Sequence, residues 1–130
     1  PRRRAAASAP GGEAILAAAH GDIEAVRGEA VTEAADGGDP IALGILAQMG
    51  TNLGIGLANL ANILDPDRFV IGGGLSRVEA NFLVHAERAL AERMEGAAHR
   101  PPVEVTHALL GNDAGAVGAA MMALNQLVSV

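Results

Sequence analysis

Cysteine, tryptophan, tyrosine and lysine are absent from the 130 residues, and phenylalanine occurs only twice. Without cysteine there is no disulfide framework, no thiolate zinc site and no cysteine nucleophile. Without lysine a Walker-type phosphate loop is excluded. With Phe69 and Phe82 as the only aromatics, and alanine making up much of the apolar half, the core must come from Leu, Ile, Val and Met. Positive charge is scarce too: nine arginines face fifteen carboxylates, for a formal charge of −6. That balance argues against nucleic acid as a partner, since such a surface needs clustered positive charge. The one basic run, Arg2-Arg3-Arg4, reads as a solvated chain end, and no apolar signal segment follows it. No stretch reaches about 18 uninterrupted apolar residues, so neither a membrane span nor a membrane partner is expected. A cytoplasmic location follows as an expectation. His20, His85, His99 and His107 lack metal-ligand spacing. No Ser-His-Asp set can be identified, so no catalytic residue and no metal ligand is assigned in this chain.

What remains is the pattern of a single domain at most, large enough to bury roughly two thirds of its unfolded surface. The first forty residues read as weakly organised, with short helices from Glu13 to Ala19 and from Glu29 to Asp36. Asp39-Pro40 then gives an N-cap followed by proline at the first helical position. The helix it opens runs to Leu64, before Asp65-Pro66. Leu46, Met49, Leu53, Leu57, Leu60 and Leu64 form one apolar stripe at helical spacing. A second stripe, Ala47, Gly50, Gly54, Ala58 and Ala61, carries almost no side chain. Glycine inside a helix costs about 1 kcal/mol relative to alanine, so Gly44, Gly50, Gly54 and Gly56 imply close approach by a neighbour. Two such faces predict a central, sandwiched helix.

Arg68 to Ile71 reads as a short strand, followed by Gly72-Gly73-Gly74. Ser76 and Glu79 form a capping box for a helix burying Val78, Phe82, Ala86, Ala89 and Leu90 and ending near Gly96. A second strand is expected from Val103 to Thr106, parallel to the first in a βαβ unit of about 30 residues. Gly111-Asn112-Asp113 turns the chain into a last helix. Asp113 is its expected N-cap, Gly115 and Gly118 allow close packing, and Val117, Met121, Leu124 and Val128 face inward. The order is α-β-α-β-α. Two strands make a thin parallel sheet, which predicts a homo-oligomer or a companion N-terminal segment.

Gly72, Gly73 and Gly74 stand where open α/β sheets bind ligands, at the carboxyl end of a strand and before a helix N-terminus. A nucleotide could approach such a backbone closely; a tight turn without a ligand is the plainer alternative. His107 reads as a structural histidine rather than a base.

Five motifs in this order carry a resemblance: Asp39-Pro-Ile-Ala42, Leu53-Gly-Ile-Gly-Leu-Ala-Asn59, Leu64-Asp-Pro66, Val70-Ile-Gly-Gly-Gly74, and Leu110-Gly-Asn-Asp-Ala-Gly115 with Gly118-Ala-Ala120. Together they resemble the C-terminal part of the ROK family (repressors, open reading frames and sugar kinases), and most of all its bacterial glucokinases. The resemblance covers about Glu29 to Leu127. It implies an actin-like, ribonuclease-H-like ATPase fold of two lobes. Residues 1–38 would be a partial helical lead-in, and 39–130 the C-terminal portion of the nucleotide-binding lobe. Gly72, Gly73 and Gly74 would then belong to the adenosine motif. Gly111, Asn112, Asp113, Gly115 and Gly118 would lie at the helix connecting the lobes. The implied cofactors are ATP and Mg²⁺, the implied activity phosphoryl transfer to a hexose, glucose foremost. Polyphosphate remains an alternative donor. The family's first phosphate loop, its general-base aspartate and its Cys/His zinc motif have no counterpart here. The resemblance therefore makes this chain a portion of a protein whose catalytic apparatus, and any zinc, lies elsewhere. A sugar-sensing lobe of a ROK repressor, with a helix-turn-helix outside this chain, is the rival function. Five motifs in register leave little room for an unrelated α/β interaction domain.

Overall fold

A computed structural model of the chain describes residues 2–8, 10–72 and 79–128. The opening forty residues are more ordered than their composition suggests. They form α1 (Arg2–Ala7), α2 (Glu13–Ala18), a 3-10 turn (Ile23–Ala25) and α3 (Gly28–Asp36). Ile15 and Val31 are among the largest fully buried side chains, and Ala19, Ala30, Ala34 and Ala35 are buried beside them. Alanine faces pack closely but give a faint periodic signal, which is why these helices look weak in the sequence.

α4 (Pro40–Leu64) starts where the sequence places it. The Asp39 carboxylate accepts a hydrogen bond from the Ala42 N–H at 2.7 Å, satisfying one of the orphan donors of the first turn. The helix ends at Asp65, whose left-handed backbone (φ 49°) turns the chain toward Pro66. Among the described residues α4 is the one helix long and apolar enough to cross a membrane by length and composition. Asn52, Asn59 and Asn62 interrupt that apolar run, and the fold uses the helix as a packing partner.

That partner is α5 (Glu79–Arg93). The two helices meet along the small-residue stripe: Gly50, Gly54, Ala58 and Ala61 are buried on α4, and Phe82, Ala86, Ala89 and Leu90 on α5. A Cβ on Gly50 would collide with the Phe82 carbonyl oxygen, and one on Gly54 with that of Ala86. Glycine is thus required at both positions by a backbone-to-backbone approach. Asn62 closes the far end of the seam. It accepts the Glu95 N–H at 2.9 Å and donates to the Arg93 carbonyl at 3.4 Å, so it serves the C-terminus of α5 from outside.

The expectation of a fully sandwiched α4 is only half met. In the apolar stripe Leu46 and Leu57 are buried, but Met49, Leu60 and Leu64 are exposed. Gly44 and Gly56 face open space, so the close approach expected at all four glycines occurs at two.

β1 (Arg68–Ile71) and β2 (Glu104–His107) pair in parallel, from Arg68 opposite Glu104 to Ile71 opposite His107. β2 begins one residue later than expected. Phe69, Ile71 and Val103 pack on the core and Val105 is buried within it. On the other face Arg68 and Glu104 form an ion pair at 2.7 Å, and Val70 is exposed. The expected capping residue Ser76, and Val78, lie outside the described residues.

A second 3-10 turn (Gly111–Asp113) leads into α6 (Ala114–Val128). Here the inward packing expected from the sequence does not occur. Val117 is 41% exposed, and Met121 and Leu124 are each 54% exposed. Among the described residues a Cβ at Gly115 or Gly118 would meet nothing within 4 Å, so neither packs closely there. The side chain of Val128 lies outside the described residues. The apolar face of α6 is real, as its sequence period indicates, but nothing among the described residues covers it.

Candidate functional site

Parallel pairing brings the carboxyl ends of β1 and β2 side by side. The Ala108 N–H donates to the Ile71 carbonyl at 2.9 Å, extending the ladder one step past the strands. Gly72 and Ala108 are therefore neighbours. Of the predicted adenosine residues, Gly72 is placed here, exposed; Gly73 and Gly74 lie outside the described residues.

Gly72 is instructive because none of the described residues demands it. Among them a Cβ there would meet only the Ala108 Cβ, at 3.6 Å, an ordinary contact, and its φ is not in the left-handed region. Gly111 differs. Its φ of +49° is one that side chains with a Cβ rarely adopt, and its N–H donates to the Ala108 carbonyl at 3.1 Å. The turn at 111 thus needs glycine for its own shape. At 72 the absent side chain leaves room among the described residues at an exposed strand end, which suits a ligand laid against the backbone.

The remaining predicted residues follow along the chain. Asp113 stands immediately before α6, as expected of an N-cap. Its carboxylate makes no capping bond among the described residues; instead its N–H donates to the Leu110 carbonyl at 2.9 Å. Asn112 sits within the 3-10 turn, and Gly115 and Gly118 lie in the first turns of α6.

One feature of this strand end is invisible in the sequence. His107, the last residue of β2, has its Nδ1 buried and without a hydrogen-bond partner among the described residues. A buried polar atom left unsatisfied costs about 1–3 kcal/mol. His107 is in register with Ile71, one residue before Gly72, so this group lies at the carboxyl end of the strand pair. A histidine after a strand is too common for its spacing to have marked it.

The opposite, amino ends of the strands are tied down rather than open. Arg100 pairs with Asp65 there, beside a cleft lined by Asp65, Pro66, Asp67 and Pro101 to Val103. This pair joins the α4–β1 turn to the α5–β2 connection. Among the described residues no group of three or more His, Asp or Glu side chains could hold a metal ion.

Comparison with known proteins places this geometry in a wider frame. Residues 7–126 match the ROK family. A glucokinase from Streptomyces coelicolor is 35% identical over 122 residues, which are 94% of this chain and 38% of that protein. A glucokinase from Halalkalibacterium halodurans is 37% identical over 100 residues, 74% of this chain and 29% of that one. Among solved structures, a ROK family glucokinase from Streptomyces griseus, in complex with glucose and AMPPNP, superposes with a TM-score of 0.82 at 33% identity. It covers 93% of this chain and 39% of that structure. The chain thus spans under two fifths of the length of these relatives. Its α-β-α-β-α order, with the helical lead-in before it, is part of an actin-like ATPase fold. Motifs, parallel strand pair and superposition run together through nearly the whole chain, which belongs to the ROK family.

Proposed function

We propose that the full protein is an ATP-dependent hexose kinase acting on glucose, and that this chain supplies the adenosine side of its nucleotide site. The observation that carries this is the superposition on a glucokinase complexed with glucose and AMPPNP. The sequence similarity to glucokinases supports it, and so does Gly72, a glycine that none of the described residues at the strand end requires. In such an enzyme the γ-phosphoryl group passes to the sugar 6-hydroxyl. Catalysis comes mostly from positioning and charge stabilisation by Mg²⁺, with a carboxylate as base. The role of this chain is binding and orientation. Gly72 to Gly74 would pass under the adenosine, and the run from Gly111 to Gly118 would connect the lobes. Residues 1–38 would act as a helical lead-in to the C-terminal part of the nucleotide-binding lobe at 39–130. The protein would work in the cytoplasm, and the uncovered faces of α4 and α6 would be closed by the rest of the protein or by a second copy. The repressor alternative shares the family but gains no support from these relatives, which are kinases.

The test is a coupled assay of the full protein with ATP and Mg²⁺ against glucose and other hexoses, with polyphosphate as a second donor. Turnover with ATP and a preference for glucose are expected. Gly72→Val should weaken ATP binding at least tenfold, about 1.4 kcal/mol, with sugar affinity little changed. Gly72→Ala serves as the control for the fold. Absence of turnover with every hexose and either donor would overturn the kinase assignment. Unchanged ATP affinity in a well-folded Gly72→Val protein would remove the strand end from the nucleotide site.

A further inference from the structure

The turn that follows β2 runs against ordinary turn chemistry. The Gly111 N–H donates to the Ala108 carbonyl at 3.1 Å, closing a four-residue turn with Leu109 and Leu110 at its corners. Leu110 has φ −86° and ψ −3°, the values of the third residue of a type I turn. Such corners favour Gly, Pro, Asn, Asp and Ser. Here both are leucines, Leu109 fully exposed and Leu110 half-exposed. A single exposed leucine is ordinary. Two together at a tight turn break a local rule, and breaks of that kind concentrate at functional sites.

The turn is fixed on both sides. After it, the Asp113 N–H donates to the Leu110 carbonyl at 2.9 Å. Before it, the Ala108 N–H is bonded to the Ile71 carbonyl at 2.9 Å, and the Ala108 Cβ lies 3.6 Å from the point a Cβ on Gly72 would occupy. Leu109 follows Ala108 directly, its Cα about 3.8 Å further along the chain. It therefore stands beside the strand end to which the nucleotide is assigned above. From Ala108 to Leu110 no side chain carries a charge or a hydrogen-bonding group. This stretch offers a ligand apolar contact and no side-chain partner for a phosphate.

We propose that Leu109 is the apolar contact for the purine base of the bound nucleotide, an assignment that rests on the strand end being the adenosine site. Small-molecule sites are lined mainly by apolar side chains, with a few polar groups to set orientation. A leucine carried on a hydrogen-bonded turn is ordered in advance, so less freedom is lost when the ligand arrives. Its exposure is then the state of the site before the base covers it.

The experiment is calorimetric titration of the full protein with ATP and, separately, with glucose, alongside the melting temperature. Wild type, Leu109→Asn, Leu109→Met and Gly72→Val are compared. Leu109→Asn should weaken ATP binding about fivefold or more, a part of what full burial of a leucine contributes, with glucose affinity and melting temperature unchanged. Leu109→Met, which keeps an apolar side chain of similar volume, should retain ATP affinity. A lower melting temperature for Leu109→Asn, with both ligands weakened, would show that polypeptide rather than a base covers Leu109, and would overturn the proposal. So would Leu109→Met losing as much ATP affinity as Leu109→Asn. If Leu109→Asn binds ATP normally while Gly72→Val does not, the base contact fails and the strand-end site stands. If both bind ATP normally, the strand-end site fails and the base contact with it.

Discussion

Four glycines lie within α4, and the same substitution should act on them with opposite signs. Gly→Ala in a helix interior gains about 1 kcal/mol from propensity alone. At Gly44 and Gly56 a Cβ meets nothing within 4 Å, so the full gain should appear. At Gly54 the new methyl would run into the Ala86 carbonyl oxygen and come within 2.7 Å of the Ala89 Cβ. Neither neighbour is a flexible side-chain end, so α4 and α5 must move apart. A gap of 0.5–1 Å forfeits about a quarter to a half of each van der Waals contact across a seam, and overpacking of this kind costs about 1–3 kcal/mol. Set against the propensity gain, the net effect at Gly54 should be a loss of up to about 2 kcal/mol. Gly50, facing the Phe82 carbonyl and the His85 Cβ at 3.1 Å, should behave alike. The contrast between Gly54→Ala and Gly56→Ala, two residues apart on one helix, is then the overpacking cost itself, about 1–3 kcal/mol. Urea unfolding of the four single variants measures it, provided the slope stays constant. If all four variants shift stability in the same direction, the close approach of α4 and α5 is not what selects glycine here.

Asp39→Ala should lower stability by about 1 kcal/mol through loss of the cap on Ala42, with Asp39→Asn retaining most of it; thermal unfolding of both variants checks this. Phe82→Ala removes the largest fully buried side chain and should cost about 3–5 kcal/mol, read from the denaturation midpoint. Asn62→Ala strips the partners of the Glu95 N–H and the Arg93 carbonyl, exposed groups that water can partly serve, so a loss of only about 0.5–1.5 kcal/mol is expected; faster amide exchange at Glu95 would locate it. The isolated 130-residue chain should self-associate through the uncovered face of α6. Sedimentation should show the association reduced in a Val117→Ser, Met121→Gln variant, and a concentration-independent monomer would contradict this.

Strong local signals in the sequence correspond closely to the structure. Asp39-Pro40 starts α4, Arg68 to Ile71 is β1 without adjustment, and Phe82, Ala86, Ala89 and Leu90 form the buried side of α5. The glycine and alanine stripe announced a close helix pair because each glycine carries a propensity penalty that only contact can offset. Signals about what a face touches were weaker. The period of Val117, Met121 and Leu124 shows that α6 has an apolar side, but a period cannot say whether the cover lies within the same 130 residues. The alanine-rich lead-in hid its core for the opposite reason: small side chains bury well yet contribute little contrast. Of the strand-end site, the glycines were legible and the orphaned Nδ1 of His107 was not, since hydrogen-bond satisfaction depends on three-dimensional neighbours.

The parallel register has a kinetic corollary. Arg68 and Glu104 are 36 residues apart, and closing a flexible loop of that length costs about 3 kcal/mol beyond a fixed constant. Four residue pairs at the edge of a thin sheet repay little of that before the connecting segment is ordered. Once α5 lies along α4, however, 15 residues of that loop are already rigid and the strands are delivered to each other. Folding should therefore nucleate on the α4–α5 pair and zip the strands late. Substitutions such as Val105→Ala should then mainly speed unfolding, whereas Leu90→Ala should mainly slow folding.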